Sequence, residues 1–282
     1  MKNSPHLFVS VWQWHFCVSA IIGLLMLFRF GESVHGATVV SRDTLLAVSW
    51  DGFSYHVDVA TGSATMLARP ERLFNAMARS SDGTFLASDN SNRLHTIDPL
   101  NGVAQFFLSV QGAGLNETIR GMAFTHDERL LAVMSTPFDT IDSFYEINLI
   151  TGQAVPIGNT GLSALQSLAI SPRGVVYSFD IGPAGRGLVT IDTATGTATD
   201  VNPLQGAQSA AIQALAFRND GSLFGIGQNG IYVVDVHTGI VTRTSDFSID
   251  IRGAEFVIPE PSGMDLLVVL LAGVYVSRRW SF

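Results

Sequence analysis

The chain has 282 residues, a net charge of −8 and 14% charged residues. With two apolar terminal segments set aside, about 220 residues remain, enough for one domain with a full core. The only cysteine is Cys17 and the only lysine is Lys2, both in the N-terminal segment. This excludes disulfides, thiolate metal sites, cysteine nucleophiles, Schiff-base lysines and Walker-type phosphate loops from the body. Between residues 37 and 258, 21 acids face 12 arginines, a net of −9, which argues against a nucleic-acid partner.

Residues 1–36 read as an export segment. Lys2 precedes an apolar stretch that is densest from Val18 to Phe28, and Val34, His35 and Gly36 precede a candidate cut at Ala37. Trp12, Trp14 and Arg29 are unusual for a cleaved leader, so a signal peptide and an uncleaved signal anchor both stay open. Either way, the body is expected outside the cytoplasm.

Residues 37–258 carry two recurring phrases. The first is Asp58-Val-Ala-Thr-Gly62, Asp98-Pro-Leu-Asn-Gly102, Asn148-Leu-Ile-Thr-Gly152, Asp192-Thr-Ala-Thr-Gly196 and Asp235-Val-His-Thr-Gly239, at spacings of 40, 50, 44 and 43 residues. That is the period of four-stranded propeller blades. The phrase is a turn: Asp or Asn bonds the backbone two residues on, and Gly closes the bend. The second phrase lies upstream, at 76–83, 121–128, 167–174 and 214–221. It predicts a small-residue inner strand, a turn, and a more apolar second strand.

Gly253 to Val257 repeats the inner-strand phrase with no blade after it, while the first unit, Leu45 to Leu67, lacks a strong inner strand. Ring closure follows as the expectation, with the last strand completing the first blade and Thr38 to Val40 left out. The predicted fold class is an all-β, single β-propeller of five four-stranded blades, flanked by N-terminal and C-terminal hydrophobic helices. These repeat phrases are similar to those of secreted bacterial propellers, a resemblance that implies fold and not activity.

Candidate chemistry in the body is sparse. A propeller glycosidase needs paired carboxylates, and the only acid on the predicted inner strands is Glu255. His56, His95, His126 and His237 fall in different units without metal-ligand spacing; His56, His95 and His237 are expected to be exposed near turns. Asp89-Asn-Ser-Asn92 reads as a polar turn, and Gly225 and Gly227 as a strand passing close to a neighbour. No catalytic residue, metal or cofactor is assigned.

One constellation stands out. Just before each inner-strand phrase the aligned residue is polar in all five copies: Asn75, Arg120, Gln166, Gln213 and Arg252. Repeat equivalence puts these on one face at the channel mouth. They would either bind a carboxylate, a sugar acid or glycan hydroxyls, or satisfy backbone groups where blades meet.

Residues 259–282 hold Pro259-Glu260-Pro261, an apolar run from Leu266 to Val276, and Arg278-Arg279. This order resembles the PEP-CTERM sorting signal, over Val257 to Trp280. The resemblance implies cleavage by an exosortase-type membrane protease, delivery to the bacterial envelope or exterior, and transient membrane anchoring. Asp265 departs from the usual pattern, and Met264 to Val276 as a helix spans about 20 Å against a hydrocarbon core of ~30 Å. Because such systems accompany polysaccharide export, the resemblance also implies exopolysaccharide or another envelope glycan as partner. The favoured expectation is a non-enzymatic binding module. A hydrolase or lyase acting on polysaccharide or lactone, and a ligand-free spacer, are the alternatives.

Overall fold

The computed structural model describes residues 41–257 apart from 70–71, 137–139, 183–186 and 204–209. The export segment at 1–36, Thr38 to Val40, the sorting tail at 259–282 and both expected terminal helices lie outside the described residues. Among the described residues no helix is long and apolar enough to cross a membrane.

Twenty strands form five four-stranded antiparallel sheets. The first blade contains β1 (Thr44–Ser49), β2 (Ser54–Asp58) and β3 (Ala64–Ala68). The second is β4 (Phe74–Arg79), β5 (Phe85–Asp89), β6 (Arg93–Ile97) and β7 (Ala104–Ser109). The third is β8 (Thr118–Phe124), β9 (Leu130–Ser135), β10 (Ser143–Ile147) and β11 (Ala154–Asn159). The fourth is β12 (Leu165–Ile170), β13 (Val176–Asp180), β14 (Gly187–Ile191) and β15 (Ala198–Asp200). The fifth is β16 (Ile212–Phe217), β17 (Leu223–Gly227), β18 (Gly230–Val234) and β19 (Val241–Asp246). The last strand, β20 (Ile251–Phe256), completes the first blade.

Closure follows the register expected from the repeats. Leu45 pairs with Phe256, Ala47 with Ala254 and Val48 with Gly253, so the chain's last described strand is the first blade's inner strand. The five inner strands β20, β4, β8, β12 and β16 contact one another in a closed ring. Every blade therefore has a neighbour on both sides.

The recurring turns are built as their residues dictate. The Asp58 carboxylate accepts from the Ala60 and Thr61 amides at 3.0 and 2.8 Å, and Gly62 closes the bend at φ 73°. Asp98, Asn148, Asp192 and Asp235 cap their own turns in the same way.

The core consists of slices between blades. Leu45 and Ala47 pack toward the fifth blade with Ala214, Phe224 and Ile231, whereas Leu46 and Val48 pack toward the second with Phe74 and Phe85. This strict alternation explains why every residue of β1 is buried: both of its faces are covered. Phe144, fully buried between the third and fourth blades, anchors one slice, and its truncation to Ala should cost about 3–5 kcal/mol.

Near the axis the spacing is set by backbone. A Cβ at Gly121 would stand 2.3 Å from the Ser167 carbonyl carbon, and one at Gly253 would stand 2.4 Å from the Met77 nitrogen. Gly253→Ala should therefore lower stability by about 2–3 kcal/mol in urea unfolding, because the obstruction is main chain and cannot rotate away. An unchanged midpoint would contradict the inner-strand contact.

Candidate functional site

At one level of the ring, each inner strand slips by one residue against its partner. The shift falls between Phe74 and Ala76, Ile119 and Gly121, Ile212 and Ala214, and, in the first blade, between the Ser49–Ile251 and Val48–Gly253 pairs. Asn75, Arg120, Gln213 and Arg252 are the extra residues at these bulges. In β12 the bulge comes just after Gln166, with Ser167 at φ 59°. A bulge takes one residue out of the alternating pleat and re-aims its side chain. This is the physical origin of four of the five polar positions, and sequence alignment of the repeats found their residues without showing the bulge.

Electrostatics indicates where two of these side chains go. Arg120 and Arg252 belong to the third and first blades, with the second blade between them, yet the Arg252 charge reaches the Arg120 guanidinium. The bulges set both residues at one level of the ring. Burial first, and then Arg252, push Arg120 below the usual guanidinium range, while Asp142 acts in the opposite sense. Arg252 donates to Asp250 at 2.8 Å and its guanidinium carbon lies 4.7 Å from the centre of the Trp50 ring.

The amides beside them have unmet hydrogen-bonding capacity. Asn75 and Gln213 are 3% and 6% exposed, and the Asn75 Oδ1 and Gln213 Oε1 atoms are buried without a partner, as are Arg252 Nε and Asp250 Oδ1. Among the described residues, the side chains of Asn75, Arg120, Gln166 and Gln213 make no hydrogen bond that would satisfy a blade crossing. Each unmet buried group costs about 1–3 kcal/mol, which calls for an explanation such as a ligand or water.

Two aspartates from outside the inner strands join this level. Asp180 ends β13 and pairs with Leu165; Asp142, just before β10, accepts from the Leu165 amide at 2.7 Å and from the Ser135 hydroxyl. Burial pushes the Asp142 carboxyl up to about 6, Asp180 adds to the rise, and Arg120 opposes it. The carboxylate pair that inner-strand counting failed to find is thus supplied by a strand end and a loop. Glu255, the inner-strand acid, is pushed up to about 8 by burial, with Arg79 pulling the other way, so it is mainly neutral at pH 7.

Two histidine expectations are corrected. His56 and His95 are buried on β2 and β6 rather than exposed, because the strand pleat turns them inward; His56 Nε2 meets the Pro99 carbonyl at 2.7 Å and His95 Nε2 meets Asp89 at 3.1 Å. His237 is exposed, as expected. Gly225 and Gly227 lie on β17, where added Cβ atoms would strike Ile212 and the Ala211 carbonyl. Among the described residues no group of three or more His, Cys, Asp or Glu is placed to hold a metal ion.

The pH dependence of stability has a defined sign. The folded Asp142 carboxyl sits above its ordinary 3.8, so its contribution to stability is full below about pH 4 and lost as pH rises through about 6. The loss is on the order of 3 kcal/mol. Glu255 adds a loss of the same sign as pH rises through about 8. Melting temperature should fall between pH 4 and 8, and Asp142→Asn should remove the part near pH 6; an unchanged pH profile in that variant would contradict the assignment.

No protein-family model and no curated protein matches the sequence. The fold is similar to that of a gluconolactonase from Xanthomonas campestris (13% identity, TM-score 0.50), covering 78% of this chain and 86% of that one. It is similar also to a chain of the nidogen/laminin complex (13% identity, TM-score 0.52), covering 77% of this chain and 99% of that one. A calcium-binding regucalcin from Agrobacterium tumefaciens overlaps less well (16% identity, TM-score 0.46, covering 74% and 72%). The expectation of a non-enzymatic body is corrected here: the propeller fold is shared with a gluconolactonase, and the count of acids behind that expectation left out Asp142 and Asp180.

Proposed function

We propose that the channel mouth hydrolyses a sugar lactone or a related cyclic ester. The observation that carries this reading is the placement of Arg120 and Arg252 at equivalent inner-strand bulges of blades that are not neighbours, in one ring with Asp142 and Asp180, which both meet Leu165 next to Gln166. In ester hydrolysis, negative charge develops on the carbonyl oxygen, where two fixed guanidiniums stabilise it. In glycoside cleavage positive charge develops at the sugar ring, and the same guanidiniums would oppose it. That difference in sign favours the lactone over the glycoside.

The proposed step uses this chain's own groups. Asp180 takes a proton from water, and the oxygen attacks the carbonyl carbon as the carbonyl oxygen gathers charge against Arg120 and Arg252. Collapse breaks the ring C–O bond, and the released alkoxide recovers the proton from Asp180, giving a hydroxy acid. The Asn75, Gln166 and Gln213 amides hold ring hydroxyls.

Glucono-1,5-lactone is the first substrate to test. Asp180→Asn and Arg120→Met should each reduce kcat/KM by about a hundredfold. The wild-type rate should rise through a limb near pH 6, where Asp142 loses its proton, and Asp142→Asn should lack that limb. No turnover of any sugar lactone above the spontaneous rate would overturn the proposal.

The setting proposed for this activity is the bacterial envelope or exterior, reached through the export segment and the tail containing Pro259, Glu260, Pro261, Arg278 and Arg279. Support comes from the order of tail parts and their resemblance to exosortase substrates. In a host with an exosortase, intact-mass measurement should find a mature chain without Arg278 and Arg279. Exported protein that retains them would count against processing.

A further inference from the structure

The loop 50–53 that carries Trp50 to the mouth also forms one wall of a second cleft. This cleft, of about 360 Å³, is lined by Asp51, Gly52, Arg69, Arg72 and Leu73. The two walls are held together by backbone: a Cβ at Gly52 would stand 2.8 Å from the Arg72 carbonyl oxygen. The Arg69 guanidinium carbon lies 5.2 Å from the centre of the Phe53 ring, and Arg252 stacks in the same fashion on Trp50. Trp50 remains 38% exposed, so part of its ring is open to a ligand.

The cleft carries positive charge. The body is acidic, and Arg93, Arg129, Arg218, Arg243 and Arg252 are each tied to carboxylates. Arg69 and Arg72 form no ion pair among the described residues. Among the described residues the carboxylate lining the cleft is that of Asp51, which is engaged by the Ser49 hydroxyl. What remains is a concave space with two guanidiniums that form no ion pair, next in the chain to the partly exposed Trp50. A planar guanidinium pairs bidentately with a carboxylate, and an aromatic face stacks against a pyranose ring.

We infer that this cleft is a subsite for an acidic sugar residue, so that the substrate is the end unit of a uronic-acid-containing oligosaccharide and not a free monosaccharide lactone. Trp50 would stack the ring that links the two sites, and Arg69 and Arg72 would take the carboxylate of the next unit. This inference rests on the proposed mouth site for its orientation, but its binding step needs no hydrolysis.

Calorimetric titration of the full-length chain with trigalacturonate and with neutral cellotriose tests it. Trigalacturonate should bind with an affinity that falls as salt is raised, and cellotriose should bind at least tenfold more weakly. Arg69→Met and Arg72→Met should each weaken trigalacturonate about five- to tenfold, and Trp50→Ala by a similar factor. The arginine variants should leave the melting temperature unchanged, since both side chains are exposed. Equal binding of the two trisaccharides, no binding of trigalacturonate, or arginine variants that bind like the wild type would each overturn the inference. Hydrolysis of a simple lactone together with arginine variants that bind trigalacturonate like the wild type would sink the subsite while sparing the mouth; trigalacturonate binding lost in those variants without any lactone turnover would do the reverse.

Discussion

Everything at the channel mouth depends on how closely the inner strands approach the axis. Gly121 against Ser167 and Gly253 against Met77 are backbone contacts with no space for a methyl group, so at these points main chain sets the spacing of the inner strands. The neighbouring residues are correspondingly small: Ala76, Ala78, Ala123, Ala169, Ala214, Ala216 and Ala254 are all buried. Five strands held this tightly form a rigid frame, and a rigid frame can keep polar groups in arrangements that a softer one would collapse.

The bulges convert that frame into a site. In a regular pleat the residue after Phe74 or Ile119 would enter the next interblade slice, where a guanidinium or an amide would be intolerable. The one-residue slip removes Asn75, Arg120, Gln213 and Arg252 from the alternation and leaves the apolar slices intact. The cost is visible in buried oxygens without partners and in the mutual repulsion of Arg120 and Arg252. Native structures retain such costs where a ligand or a reaction relieves them. Asp142 is held by the same logic: its bonds to Leu165 and Ser135 fix a carboxylate where burial resists its charge.

Much of the fold was legible because turn chemistry and strand period are local. The Asp-to-Gly phrases marked the five turns, and the orphan strand at Gly253 to Val257 announced the closure that pairs it with Leu45 to Val48. Asn75, Arg120, Gln213 and Arg252 could be aligned with one another for the same reason, since repeats align, and the structure puts all four at bulges. Asp142 and Asp180 were not legible: they come from a loop and a strand end that lie outside the repeated phrases, and only the packing of the third blade on the fourth brings them to Leu165. His56 and His95 were misread because proximity to a turn in sequence does not reveal which way the pleat points a side chain.

The central claim is that the mouth polar groups are unsatisfied because they await a ligand. Its most direct test is a crystal structure of the Asp180→Asn variant soaked with an aldonolactone. The account predicts density between Arg120 and Arg252, with the carbonyl oxygen within hydrogen-bond distance of at least one guanidinium and ring hydroxyls on Asn75 or Gln213. A mouth without lactone, in which those side chains instead bond backbone carbonyls at the blade crossings, would contradict it.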